Sequence, residues 1–295
     1  MPGSTSLSDN FSSLSYNVKS SKLPKWFYDP STGTVLGKSG CGWLKLLFFY
    51  LIFYGLLVLF WSGMMSVFIY FIVPTENPLR TGEHSLLKLK PGLGVRPQID
   101  HNNVFIRFSP RDPQTYLPLV QSMDSYLDQY QNLMKKDANL FAKCEDGKKS
   151  PPDVEKICRF DISKLGECSF ENKYGFKDSK PCVFIKMNKI YGWLPNPMEG
   201  SMHPMIKCEG SNPLDTEHIG DLKYFPSKSY NGTELGYYDN AFYPYIGQSD
   251  YVAPFVAVQF NSLKKNVIVH VTCRLVNIPG LDESSDIKFE VALDN

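Results

Sequence analysis

The residues equipped for chemistry are few and scattered. Five histidines, His84, His101, His203, His218 and His270, share no metal-ligand spacing. No G-x-S-x-G turn presents a serine nucleophile, and no D-x-D resembles the metal-binding signature of many glycosyltransferases. Carboxylates are dispersed, so a glycosidase pair would exist only if folding assembled one. Gly92-Leu93-Gly94 is an isolated G-x-G. Gly37-Lys38-Ser39 matches the end of a phosphate-binding loop, but Thr32 stands where that motif requires its first glycine, and Gly33 is one residue off. No catalytic residue, metal ligand or cofactor site is expected.

Cysteine offers the one chemistry the sequence supports. Of seven cysteines, Cys41 precedes a long apolar run, while Cys144, Cys158, Cys168, Cys182, Cys208 and Cys273 follow it. An even set on one side and a single thiol on the other fits a chain that crosses from a reducing to an oxidising compartment. A zinc site would need a C-x-x-C or H-x3-H cluster, and none occurs. Sequential pairing, Cys144–Cys158, Cys168–Cys182 and Cys208–Cys273, is expected. The first two loops share C-x13-C spacing and would each contribute about 3 kcal/mol, the longer third about 4.4 kcal/mol. Asn231-Gly232-Thr233 is a candidate glycan acceptor in a turn-like setting. Asn10-Phe11-Ser12 also matches, on the opposite side of the apolar run.

The element that sorts these residues is Leu46–Val73, an uncharged apolar stretch of 28 residues. As a helix it would reach about 42 Å, more than a bilayer core requires. Lys19, Lys22, Lys25, Lys38 and Lys45 precede it against Asp9 and Asp29, which points the N-terminus to the cytosol. The run starts too late and is too long for a cleaved signal peptide. The expected organisation is a cytosolic tail over 1–44, a transmembrane helix over 45–73 and an outer disulfide-bonded domain over 74–295, in type II orientation. Within the helix Tyr50, Tyr54 and Trp61 fall on one face. With Gly55 and the serines Ser62 and Ser66 they depart from plain lipid-facing composition and point to a partner helix. Trp26, Phe27, Tyr28 and Trp43 are placed at the membrane surface, or against a partner there. Lys and Arg (31) nearly balance Asp and Glu (30), which argues against nucleic acid as a partner.

Beyond the span, Val104–Phe108 reads as a first strand. Asp112-Pro113 caps a helix whose apolar face is Leu119, Val120, Met123, Leu127 and Tyr130, its regular part starting after Pro118. Val183–Met187, Val256–Phe260, Asn266–Ile278 and Ile287–Leu293 read as strands, the last two with period-two alternation typical of half-buried antiparallel strands. Cys273 on the inward face would bridge two sheets. The fold class is therefore one transmembrane helix plus a mainly-β domain: an immunoglobulin-like sandwich with an added helix and three disulfides. Tyr237, Tyr238, Phe242, Tyr243 and Tyr245 crowd around Pro244, too densely for all to turn inward from one loop. They either close one end of the sandwich or form a contact surface.

These pieces resemble one family, the β subunits of the Na+/K+- and H+/K+-transporting P-type ATPases. Leu36-Gly37-Lys38-Ser39-Gly40 resembles its L-G-R-T-G, Phe49–Gly55 its F-Y-x-x-F-Y-G, and Phe108–Pro113 its F-R-P-N-D-P. Cys158-Arg159-Phe160 with Leu165–Ser169, Lys180-Pro181-Cys182, Tyr243-Pro244-Tyr245-x-Gly247 and Ala257–Phe260 complete the set in order. Leu59 departs from the small residue many relatives carry four places after the membrane glycine. The resemblance implies a non-catalytic, glycosylated plasma-membrane subunit with no cofactor. It would assist the folding, delivery and cation affinity of a ten-span catalytic α subunit. Tyr50, Tyr54, Gly55 and Trp61 would meet α helices, and Tyr243, Tyr245 and Gly247 an extracellular α loop. Membrane lipid and a small single-span regulatory subunit are further expected partners. An H+/K+-ATPase β subunit, or a free-standing type II receptor or adhesion protein, are the alternatives.

Overall fold

The computed structural model describes residues 28–29, 32–74, 78–81, 84, 90–99, 104–145, 147–150, 156–198 and 201–295. The N-terminal tail over 1–18, Trp26 and Phe27 lie outside the described residues. Two compact units divide the chain at Pro74 and Thr75.

In the first unit, β1 (Tyr28–Asp29) pairs antiparallel with β2 (Thr34–Val35). Val35 and Lys38 then exchange backbone hydrogen bonds of 3.0 and 3.1 Å across Leu36-Gly37. Both turn residues have positive φ, 50° and 75°, the type I′ geometry of two-residue hairpins. The Gly37-Lys38-Ser39 segment thus leads into a helix cap. Ser39 Oγ accepts from the Gly42 amide at the head of α1 (Gly40–Phe71), whose 32 residues include none that is buried. A helix apolar on every side and covered on none is a membrane span.

The second unit has two main sheets, a separate two-stranded one and a helix laid on them. Its elements in order are β3 (Leu93–Arg96), β4 (Phe105–Phe108), α2 (Pro113–Met134), β5 (Lys143–Glu145), β6 (Lys148–Ser150), β7 (Cys182–Met187), β8 (Met205–Gly210), α3 (Pro213–Ile219), β9 (Leu222–Phe225), β10 (Ser227–Tyr230), β11 (Thr233–Tyr237), β12 (Phe255–Phe260), β13 (Ile268–Leu275) and β14 (Ile287–Leu293). One sheet has the order β10-β11-β8-β13-β14-β4 and the other β3-β7-β12-β9. All pairs within them are antiparallel except β14 with β4. Val269, Val271 and Cys273 of β13 and Phe289, Val291 and Leu293 of β14 are buried, as their alternation requires. The sheets meet where Gly236 of β11 lies against Val256 of β12, Ile206 of β8 and Tyr224 of β9. The other face of the four-stranded sheet is covered by α2. Tyr126 and Tyr130 pack on Phe184 and Phe255 with ring centroids 4.7–6.3 Å apart across this cluster.

Three expectations are corrected. Cys208 and Cys273 are directly opposed on neighbouring strands of one sheet, with Cα atoms 4.0 Å apart, so their bond does not cross between sheets. The spacing is that of a non-hydrogen-bonded antiparallel pair. Helix α2 begins at Pro113 and runs through Pro118, because Pro118 and Gln114, whose carbonyl would normally accept from residue 118, both lie on the exposed face. Val104–Phe108 is preceded by β3, a strand that Gly94 and the flanking Pro91 and Pro97 conceal.

Short helix α3 sits directly on the backbone of Gly210, where an added Cβ would overlap the Thr216 amide and the Asp215 carbonyl carbon. Gly210→Ala must lift α3 from β8. It should lower the unfolding free energy of this unit by about 2–3 kcal/mol, read as a lower urea midpoint on the whole purified protein.

Candidate functional site

On α1, Tyr50 and Tyr54 stack with ring centroids 5.9 Å apart, and Phe49 and Phe53 form a parallel pair at 6.3 Å. Trp61, seven positions beyond Tyr54, returns to the tyrosine face. Tyr50, Tyr54 and Trp61 are 44%, 57% and 68% exposed, so no described residue of this chain covers them fully. Gly55 lies about 100° round the helix from Tyr54. It shares its side with Ser62, whose hydroxyl donates to the Leu59 carbonyl at 3.1 Å. The helix therefore carries an aromatic face and a separate small-residue face.

The Tyr243–Gly247 loop is braced from both sides. Gly192 donates to the Tyr245 carbonyl at 2.7 Å, and Gln248 links the Ile246 amide to the Pro244 carbonyl at 2.9 and 3.0 Å. Trp193 stands edge-on to Tyr243, and Tyr191 and Tyr251 flank Tyr245. Lys189 places its ammonium 5.3 Å from the Tyr245 ring centroid and 5.0 Å from that of Tyr251, while donating to the Tyr251 carbonyl at 3.1 Å. Burial pushes the Lys189 pKa down and the Tyr243 phenol well up. Two of the crowded aromatics turn inward: Tyr238 is fully buried with its hydroxyl on the Ile185 carbonyl, and Phe242 is buried beside Phe160. Tyr237, Tyr243 and Tyr245 stay half-buried and Gly247 is exposed. The loop closes one end of the unit and keeps an aromatic rim.

Asn231 and Gly232 occupy the two central positions of the β10–β11 hairpin, both with positive φ. Asn-Gly between strands is the strongest short-range hairpin signal, and it was available in the sequence. Asn231 is exposed at the tip.

His270 lies between two carboxylates, Asp215 Oδ2 at 3.4 Å and Glu290 Oε1 at 3.5 Å. The nearby Ser211 hydroxyl is bonded to Thr272 at 2.7 Å. No cluster of three or more His, Cys, Asp or Glu side chains able to hold a metal occurs among the described residues.

The family model described as the sodium/potassium ATPase beta chain matches residues 15–290. The chain belongs to that family. It is 31% identical over 270 residues to the probable sodium/potassium-transporting ATPase subunit beta-3 of Caenorhabditis briggsae, covering 85% of this chain and 78% of that one. It is 31% identical over 295 residues to subunit beta-2 of Drosophila melanogaster, covering 87% and 85%. Subunit beta-1 of the same fly is 30% identical over 306 residues, with 94% of each chain covered.

In this β chain the disulfides are Cys144–Cys158, Cys168–Cys182 and Cys208–Cys273, and Cys41 is a free thiol at the head of α1. A residue that the sequence reading passed over supports the third. Tyr224 of β9 reaches across the core and its hydroxyl accepts from the Cys208 amide at 3.0 Å. Strand β11 pairs with β8 only at Ile206 and Met205, so Tyr224 fills the place a neighbouring strand has left. Burial raises its phenol pKa, which keeps the hydroxyl neutral. Tyr224→Phe should leave that amide unpaired and cost about 1–3 kcal/mol. Thiol counting by mass spectrometry should still find all three bridges, separating loss of the tie from loss of a cystine.

Proposed function

We propose that this protein is the non-catalytic β subunit of a plasma-membrane Na+/K+-exchanging P-type ATPase. Its N-terminus lies in the cytosol and its second unit outside the cell. Membership of the β-chain family supports the role. Three cystines in the second unit and a free Cys41 at the start of α1 support the orientation, since disulfides persist in oxidising compartments. Asn231, exposed on that outer side, is the glycan acceptor.

The observation that carries the assembly reading is the uncovered Tyr50–Tyr54 stack. Lipid tails supply no hydrophobic force between helices, so association in the bilayer depends on close packing and polar contacts. A mid-span pair of phenols is suited to both. The catalytic α subunit covers this face, and its extracellular loop meets the rim of Tyr243, Tyr245 and Gly247. ATP hydrolysis and the ion sites belong to α. This subunit aids the folding and delivery of α and tunes its cation affinity.

Co-expression tests the proposal. The chain alone should purify without ATPase activity, and with a catalytic α subunit it should yield a Na+- and K+-stimulated one. Failure to form that complex would remove the reading. Tyr50→Leu combined with Tyr54→Leu should weaken recovery of α with the chain several-fold or shift the K+ activation curve. Unchanged recovery and activation would take the pair out of the interface. Asn231→Gln should raise the electrophoretic mobility of the secretory-pathway product, matching enzymatic removal of its sugar.

A further inference from the structure

The turn that precedes α1 contains an anomaly. Leu36 has φ 50°, in the left-handed region that L residues with large side chains avoid. Glycine or asparagine would occupy that position at less strain. The leucine side chain gains no burial there, since it is 46% exposed. Its neighbours Val35 and Trp43 are also exposed, at 37% each. The turn is not loosely attached: the Trp43 indole N–H donates to the Val35 carbonyl at 2.8 Å, fixing it against the first turn of α1. Lys38 lies in the turn and Lys45 in the helix, both exposed. Residues 30–75 contain no Asp or Glu to neutralise them.

We propose that this turn is a membrane-surface foot, in which Leu36 and the Trp43 ring enter the interface of the bilayer while Lys38 and Lys45 meet anionic phospholipid headgroups. Apolar side chains beside lysines, held at the depth where a span begins, have the chemistry of an interfacial anchor. Anionic lipid is favoured as the occupant because Lys38 and Lys45 outnumber Asp29, the acidic residue paired opposite Thr34 in the same hairpin, and each lysine near such a surface adds to the attraction. The bond from Trp43 keeps the indole N–H satisfied within the chain, leaving the ring to sit among acyl chains. The foot would hold the start of α1 at a fixed depth and rotation. The inference rests on α1 crossing a bilayer.

Site-directed nitroxide labelling of the α–β complex in nanodiscs tests it, with Cys41→Ser removing the free thiol. A label at Leu36→Cys should show several-fold more collision with oxygen than with a water-soluble nickel chelate. That preference should rise when phosphatidylserine is added to phosphatidylcholine. A label at Thr32→Cys should follow the same trend with Leu36 in place and lose it in Leu36→Asn, which tolerates the backbone conformation but not the lipid. A Leu36 label open to the chelate in both lipids would overturn the proposal. So would one shielded from both reagents, which would mean that protein covers the turn. A label at Leu57→Cys, in mid-helix, separates this outcome from failure of the span itself, since it must read as oxygen-accessible if α1 crosses.

Discussion

Two sheets share a core only if their facing surfaces approach closely somewhere, and here they do so at Gly236. Without a Cβ, this residue lets Val256, Ile206 and Tyr224 converge from both sheets. Because β9 comes this near to β8, the Tyr224 hydroxyl can reach the Cys208 backbone. Because that backbone is satisfied, β11 can leave β8 after two paired positions and turn into the β10–β11 hairpin. On the far side of β8 the cystine ties it to β13, and Asn277 adds a clasp by accepting from the Met205 amide and donating to the His203 carbonyl, each at 2.7 Å. A buried polar group without a partner costs about 1–3 kcal/mol, so each of these bonds is needed once the strands diverge.

The opposite face of the four-stranded sheet is organised by aromatic rings. Tyr126 and Tyr130 share a hydrogen bond of 2.8 Å, and the Tyr130 hydroxyl donates to the Ala253 carbonyl at 2.7 Å. Burial pushes the Tyr126 phenol up to about 12, with Tyr130 and Arg96 opposing, so the network stays neutral under physiological conditions. Arg96 and Lys186 lie 5.9 and 5.7 Å from the Tyr126 ring centroid. Burial lowers the Lys186 pKa first, with Arg96 and Lys189 adding repulsion. Their aliphatic stems flank apolar surface while their charges stay near water. This end of the unit then continues into Lys189, Tyr245 and Tyr251, so the rim that includes the Tyr243–Gly247 loop is part of the same aromatic layer.

How much of this was legible in the sequence depends on what each signal encodes. The span was legible because 28 uncharged residues leave no alternative in water. Alternation placed Cys273 on the inward face of β13, and the structure agrees. It did not say which neighbour the sulfur meets: period two fixes a face, while pairing is a tertiary fact. Similarly, Pro118 marked a local break that the exposed side of α2 absorbs. Strands β8 to β11 escaped notice because Lys207, Glu209, Lys223, Lys228 and Glu234 interrupt their apolar pattern at the exposed side or edge of a sheet. The Asn231-Gly232 turn between two of them carried the missing information. In the aromatic loop Tyr238 and Phe242 turn inward while Tyr237, Tyr243 and Tyr245 stay half-buried, and no local pattern encodes which ring does which.

The two units differ in where their stability comes from. The second has three cystines and a large buried core. Helix α1 has no buried residue, and apart from the turn before it no described residue packs on it. Each Leu, Ile, Phe or Val at mid-span favours insertion by about 0.3–0.6 kcal/mol, which over this many such residues amounts to several kcal/mol. A single interhelical polar contact contributes about 0.6 kcal/mol on average. Lipid therefore dominates the decision to insert, and the tyrosine face cannot decide it. On the proposed assembly, that face sets orientation and partner, because the apolar gain is nearly the same for every rotation of a helix that is greasy all round. A stacked pair of phenols breaks that degeneracy. The span is thus committed to the bilayer before its partner is chosen, and assembly is a separate, weaker and more selective step.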